Sequence, residues 1–559
     1  MSKSEKSRES SDDQLTTKGK KRRSYLKTAA ALVLMFVVGG AVGWVSRSSM
    51  FSTSPTVGGQ TLIVGTTHDV ADLRIGMDDS WAACIVYRLC YDTMLSWQPP
   101  DYVEASVPWV AKNLSVSADG LAWDVYLFED GKFADGTPID AAAVKYDFDW
   151  FKRPEVLHSW IFGSVNSTEV IGKYQIRVHL NSPDYVLFPK AVLAYGARVF
   201  SPTMAQRYPD EWGRTSEAWA GSGPYKLTEW IKGDQIVIER DDNWWGISHW
   251  EKPTLQKIII KLFKDPLTMR LALEKGEIDV FTREPNAEDI SFIEQDPDIK
   301  TFRQPMGWTR FLTFNCKIKP FDDKRVRQAI AYGINKTRLL ELGFKGMGKP
   351  AYSFINDWLV PYYKAVFQKY DYNPDTAKAL LADAGYPDGF TMDLTWTPAH
   401  YGAQESDVAA LIADDLAKIG VQVNLHMEEF GTMRSKLKEG TVPAWLYGWY
   451  MDYPDPDNVL TQIIHPQLGA AGIYAHWTGV AADNFSKLGY DGRTTADVNE
   501  RKQIYDAMQD IVAEDVPAYP LCIQDEYRFV QQWVNNYNFY PNTYVEYFPT
   551  YLNITVSAH

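Results

Sequence analysis

Apolar positions along this chain recur with two different periods. In "TMDLTW", Met392, Leu394 and Trp396 alternate with polar residues, which predicts a strand. In "ESDVAALIADDLAKIG", Val408, Leu411, Ile412, Leu416 and Ile419 fall on one stripe of a helix, and Gly420 suits its C-terminal end. "VQVNLHM" alternates again, so 391–427 predicts a right-handed parallel strand–helix–strand unit. "KIIIKLF", "PLTMRLALEKGE" and "IDVF" predict a second β-α-β unit. "TLIVGTT" predicts a buried strand, followed by a helix over "SWAACIVYRLCYDTML". Three Asp-Gly pairs at 119–120, 130–131 and 135–136 surround the alternating Trp123, Val125 and Leu127, a pattern of β-hairpins. "GSGPYKLTEWIKGDQIVIERDDNWW" predicts another antiparallel stretch. In "NPDTAKALLADAG", Asn373 caps, Pro374 opens and Gly385 ends a helix. The class is mixed α/β, without a fixed-period repeat.

The N-terminus follows a different logic. Residues 1–23 are polar, and "KKRRSYLK" leads into an apolar run from Ala29 to Val45. That layout suits an export signal or a membrane anchor, slightly short for a spanning helix. "RRSYLK" resembles the twin-arginine export motif. Ala41-Val42-Gly43 offers small residues for cleavage, and an uncleaved anchor with a cytoplasmic basic end is the alternative. "SRSSMFSTSPTVGGQ" is a linker, so residues from about 60 onward are expected outside the cytoplasm.

At 559 residues the chain has room for roughly three or four units. A net charge of −14 argues against a nucleic-acid partner. The 20 Trp and 32 Tyr suit either a large core or a binding cleft with amphipathic walls. Cys84 and Cys90 share a predicted helix about 9 Å apart, too far for a disulfide with each other. A bridge from either to Cys316 or Cys522 stays open.

Motifs for catalysis are thin. "GFKGMGK" has phosphate-loop spacing, but Pro350 stands where Ser or Thr should follow, and the run before it is helical. There is no H-E-x-x-H and no G-x-S-x-G, and the nine histidines are scattered. The segment "YGWYMDYPDPDN" (447–458) carries Asp452, Asp455 and Asp457. Asp455-x-Asp457 lacks the Gly and Glu of a calcium loop. Asp452 and Asp455 form a possible carboxylate pair for hydrolysis. The plain reading is an aspartate-and-proline turn after a strand.

In order along residues 60–555, "SADGLAWDVYLFEDGKFADGTPIDAAAV", "GSGPYKLTEW", "ALEKGEID", "LTFNCKIKPFDDKRVRQAIAYGINK", "YNPDTAKALLADAGYPDGF", "IADDLAKIGVQV" and "ERKQIYDAMQDIVAEDVPAYPL" resemble the family 5 solute-binding proteins of ABC importers. That family takes up peptides, nickel complexes and some oligosaccharides. The resemblance implies a two-lobed type II periplasmic-binding-protein fold with an extra inserted domain (cluster C). Residues 60–95, 195–305 and 530–559 would form lobe I, 96–194 the insert and 306–529 lobe II. It implies no enzyme activity and no cofactor, a monomer, and a membrane permease as partner.

In peptide-binding members of the family, a Gly-Trp strand pairs with the peptide backbone and a following Asp takes the α-amine. The match here is Gly448, Trp449, Tyr450, Met451 and Asp452. Phe430 matches an aromatic that stacks on ligand. Dipeptide binders also place an Arg near the start of the 405–419 helix for the ligand carboxylate. Here "TPAHYGAQES" has His400 and Tyr401 but no Arg, and no Arg or Lys occurs between 379 and 417. An oligopeptide is therefore the expected ligand, with an oligosaccharide as the alternative.

Overall fold

The computed structural model describes residues 60–78, 80–98, 101–188, 198–282, 287–402, 404–539 and 553–558. The predicted signal or anchor and its linker, residues 1–59, lie outside the described residues.

Strands are numbered in chain order. β1 (Thr61–Thr66) belongs to a large mixed sheet, and β2 (Leu95–Gln98) pairs with β3 (Asp101–Pro108). β4 (Ala111–Val116), β5 (Ala122–Leu127), β6 (Val165–Gly172) and β7 (Gln175–Leu180) form a separate antiparallel sheet in the order β4-β5-β7-β6. The remaining strands of the large sheet are β8 (Tyr225–Ile231), β9 (Gln235–Arg240), β10 (Lys257–Leu262), β11 (Val280–Thr282), β12 (Ile299–Phe314), β13 (Gly348–Pro350), β14 (Phe390–Trp396), β15 (Val421–Met427), β16 (Ala444–Trp449) and β17 (Ala518–Gln531). Their order is β15-β14-β16-β12-β17-β11-β1-β10-β9-β8, with β13 also beside β17. β18 (Val534–Asn535) pairs with β19 (Thr555–Val556) near the end of the chain.

Local sequence explains much of this. β4 and β5 form the predicted hairpin, and Trp123, Val125 and Leu127 face inward. Gly120 at φ +74° closes its turn, a conformation that costs glycine little. Asp265 caps the helix Pro266–Glu274, its carboxylate accepting from the Thr268 N–H at 2.8 Å. That helix carries the chain from β10 to β11, and both strands run parallel to β1, which lies between them. β14 and β15 are parallel, joined through the helix Gln404–Ala417, which buries Val408, Ile412 and Leu416. Gly420 ends the turn at φ +86°. β15 differs from its alternating pattern: it is an edge strand, and on the face that buries Val421 both Leu425 and Met427 are exposed.

"GFKGMGK" runs from a helical turn at Leu339–Gly343 into β13, where Gly348 lies against the Ile523 carbonyl. It is a sheet-packing segment, not a phosphate cradle. All four cysteines are free, which removes the open disulfide alternatives. Cys84 and Cys90 do share one helix, Trp81–Cys90, and both are buried. Burial pushes the Cys522 thiol up to about 12.

β12 and β17 are the long strands, 16 and 14 residues. They pair antiparallel along most of their length, with a register shift between Pro305 and Trp308. One half of β17 also pairs with β11, while β12 on the far side of the shift pairs with β16. The two therefore join the halves of the large sheet.

Candidate functional site

β16 delivers the 447–458 segment. Its three aspartates, grouped by sequence, separate in the fold. Asp455 is fully buried: Arg501 donates to both carboxylate oxygens, Nη2 to Oδ1 at 2.9 Å and Nη1 to Oδ2 at 3.1 Å. Asp455 also caps the helical turn Pro456–Val459 through the Asp457 N–H. Asp457, likewise fully buried, accepts from the Tyr453 hydroxyl at 2.7 Å and from Arg493 Nη2 at 2.6 Å. These bidentate and charge-assisted contacts hold the turn together. Asp455 is thus bound to a guanidinium, which overturns it as one half of a hydrolytic pair with Asp452. No group of three or more potential metal ligands occurs among the described residues.

Asp452 has a different environment. It lies just past the end of β16 and is 6% exposed. Asn458 clamps it from both sides, accepting from the Asp452 N–H at 3.0 Å and donating Nδ2–H to Oδ2 at 3.0 Å. The Trp449 indole N–H donates to the same oxygen at 3.3 Å. Asn458 and Trp449 thereby orient the carboxylate, while Arg501 and Arg493 hold Asp455 and Asp457. Trp449 and Tyr450 are half-buried, and Met451 is buried.

Gly448 is explained by its cross-strand partner. β12 and β16 pair Arg310 with Gly448, and a Cβ on Gly448 would lie 2.6 Å from Arg310 Nε. The missing side chain makes room for a guanidinium. Arg310 is 1% exposed and donates from Nη1 to the Tyr401 carbonyl at 3.1 Å and to Gln524 Oε1 at 3.4 Å. It forms an ion pair with Glu405 at the start of the helix Gln404–Ala417. The Trp308 and Tyr401 rings lie 4.8 and 4.5 Å from its guanidinium carbon, within cation–π range. Burial raises the Glu405 carboxyl above its usual range, against the pull of Arg310.

Aromatic rings surround this pair. Tyr450 stacks on Trp308 at 4.3 Å, and Tyr401 meets Tyr447 at 5.6 Å and Phe430 at 6.2 Å, both edge-on. The Tyr401 hydroxyl donates to the Gly448 carbonyl at 3.3 Å. The structure thus brings Phe430, Tyr401, Gly448, Trp449, Tyr450 and Met451 to the same end of β16 as Asp452. His400 belongs to the helical turn Pro398–Tyr401, and its side chain lies outside the described residues.

Arg310 lies far in sequence from the 379–417 stretch, and Glu405, within it, gives no sign of its cationic partner. One signal was present. In "WTRFLTF", Arg310 shares a face with Trp308, Leu312 and Phe314, and a buried cation demands a buried acid.

Residues 105–469, more than half of the chain, match the model of the bacterial extracellular solute-binding proteins, family 5. The dipeptide-binding protein of Escherichia coli strain K12 is 28% identical over 454 residues, covering 77% of this chain and 83% of that protein. A glutathione-binding protein of Shigella flexneri serotype 5b is 26% identical over 426 residues, covering 74% and 80%. Among solved structures, a periplasmic binding protein from Helicobacter pylori in complex with the peptide STSA superposes with a TM-score of 0.72 at 22% identity, covering 89% of this chain and 98% of that one. The fold is the two-lobed one of periplasmic binding proteins, and the relatives are binding proteins rather than enzymes. The chain belongs to the bacterial extracellular solute-binding proteins of family 5.

Proposed function

We propose that this chain captures short peptides outside the cytoplasm and hands them to the permease of an ABC importer, with Asp452 taking the peptide's α-amine. The observation that carries this reading is Asp452 itself: a carboxylate oriented by Asn458 and Trp449 at the end of a strand. β14 pairs with β16 only at Leu394–Ala444 and Thr395–Trp445. Beyond that point the outer edge of β16 lies next to no ladder partner on β14, which suits addition of an extended peptide. An amine–carboxylate contact of this kind contributes roughly 1.5–3 kcal/mol. The dipeptide and glutathione binders among its relatives are consistent with a peptide-type ligand. Arg310 supplies a cation that "TPAHYGAQES" lacks, but Glu405 already holds it. This favours a ligand whose carboxylate lies elsewhere, hence an oligopeptide over a dipeptide.

Closure of the two lobes would hinge where β12 shifts register between Pro305 and Trp308, close to the lobe boundary at 305/306 drawn from the sequence. Residues 96–194 would be the inserted domain, which contains the separate four-stranded sheet. The segment 1–59 would be an export signal of twin-arginine type or an anchor, and the working form a monomer. An oligosaccharide is the second reading, favoured by the half-buried aromatic residues Trp449, Tyr450 and Phe430 near Asp452.

Calorimetry with a free-amine peptide and its N-acetylated form tests the assignment. The free amine should bind at least tenfold more tightly, and Asp452→Asn should erase that difference. Equal affinities in the wild type would remove Asp452 from the role. Hexose-spaced masses released on denaturation would transfer the site to sugar.

A further inference from the structure

On the domain assignment proposed above, the insert 96–194 is tied at several points to lobe I. The Leu157 N–H donates to the Gly76 carbonyl at 3.0 Å, the Ala134 N–H to the Gly221 carbonyl at 2.9 Å, and the Trp150 indole to the Ile75 carbonyl at 3.1 Å. Insert and lobe I would therefore move together when the cleft opens. A further contact runs toward lobe II instead. The Tyr185 N–H donates to the Arg493 carbonyl at 3.1 Å. Arg493 lies in the last turn of the helix Val480–Thr494, where carbonyls have no partner within the helix.

Both sides of that contact are braced. On the insert side Asp184 is buried, and its Oδ1 accepts from the Val186 and Leu187 N–H groups at 3.0 and 2.9 Å. The Trp123 indole donates to the Asp184 carbonyl at 3.3 Å. On the lobe II side, the same helix end grips the 447–458 segment twice. Arg493 Nη2 donates to Asp457, and the Gly492 carbonyl accepts at 2.8 Å from Nε of Arg501, whose guanidinium holds Asp455. Asp457 adjoins Asn458, the residue that clamps Asp452. Charge adds to the hydrogen bond. Burial raises the Asp184 carboxyl, and the Arg493 charge pulls it back down. One guanidinium thus serves an acid on each side of the junction.

We propose that Arg493 is a positioning residue through which the insert, by way of Asp184 and Tyr185, latches onto the segment that presents Asp452. The latch forms when lobe II closes and breaks when it opens, because the Tyr185 N–H and the Arg493 carbonyl belong to opposite sides of the hinge. It rests on the two-lobe assignment above and not on which ligand Asp452 takes. The insert thereby acquires a part in capture. It slows release of whatever the cleft holds, and it keeps Asn458 in place while the cleft is shut.

Spin labels at two exposed positions, Ser167→Cys in the insert and Lys438→Cys in lobe II, report closure through their separation in the ligand-free protein. Cys316→Ser removes the one native cysteine that is not buried. Asp184→Asn keeps an oxygen for the Val186 and Leu187 N–H groups and removes the charge opposite Arg493. It should deplete the shorter-distance population roughly threefold while the urea midpoint stays in place. Identical distance distributions with Asp and with Asn at 184 overturn the latch. Asp452→Asn in the same labelled protein should leave the distribution as it is, and an equal depletion there would also overturn it. A wrong peptide assignment shows in the calorimetry instead, so the two readings fail separately.

Discussion

Asp92 and Asp452 are both buried carboxylates that accept indole N–H groups, yet they occupy opposite kinds of site. Asp92 lies within a cage. Trp109 donates to Oδ1 at 2.9 Å, while Trp245 and Trp244 donate to Oδ2 at 2.8 and 3.3 Å. Trp250 closes the cluster, stacked on Trp109 at 4.1 Å. Even three neutral donors do not offset the loss of water, and burial raises the Asp92 carboxyl to about 6. Asp452 has one indole and one amide donor on a single oxygen, at a strand end flanked by half-buried rings. The same chemical contact serves a fixed tie in one region and, in the proposed function, an oriented charge for a ligand in the other. What separates the two is whether the surrounding segment continues into packed core or ends beside a strand edge.

The comparison extends to the neighbours of Asp452, and the largest expected effect lies there. Asp455→Ala leaves Arg501 buried without its acid and should cost about 3–5 kcal/mol in urea denaturation. A loss below about 1 kcal/mol would mean that the Asp455–Arg501 pair does not hold the turn. Asp92 comes next, through pH. Its folded value of about 6 exceeds the ordinary aspartate value of 3.8, so between those values the folded state holds more protons than the unfolded one. Stability should therefore fall as pH rises from about 4 to about 6, by up to roughly 3 kcal/mol from this group. Asp92→Asn should flatten that part of the curve; an unchanged slope would break the cage interpretation. Asp452→Asn should leave denaturation nearly unchanged while weakening a free-amine peptide at least tenfold, about 1.4 kcal/mol. A large stability loss instead would make Asp452 another structural tie, like Asp92. Tyr453→Phe removes one hydroxyl donor from Asp457 and should cost about 1 kcal/mol in the same denaturation assay.

Much of the fold was legible wherever the determining pattern was local. The stripe of Val408, Ile412 and Leu416, the alternation of Met392, Leu394 and Trp396, and the Asn373–Pro374 helix start need only residues a few positions apart, and each adopts the expected element. Of the candidate site, the family resemblance singled out Asp452 among the three aspartates, but the sequence could not show what holds Asp455 and Asp457. Their partners, Arg501 and Arg493, lie 46 and 36 residues further on and arrive only through helix packing. Arg310 was hidden for the same reason. Its bearing on Gly448 comes from the β12–β16 register, and its acid, Glu405, comes from the helix behind β14. β15 misled because alternation records which residues prefer burial, not whether another layer packs over that face along the whole strand.

The path of β17 has a further consequence, for synthesis. This strand completes β11 and β12 from late in the chain, and its last residue, Gln531, bonds to the Leu273 carbonyl 258 residues earlier. The first half of the polypeptide therefore leaves the ribosome without the strand that its sheet requires. Contacts of such separation close slowly. Nearly the whole chain must be available before either half of the sheet is finished, so a translocation route that carries folded cargo has to wait for the last strand, while one that threads an extended chain meets no finished sheet to undo.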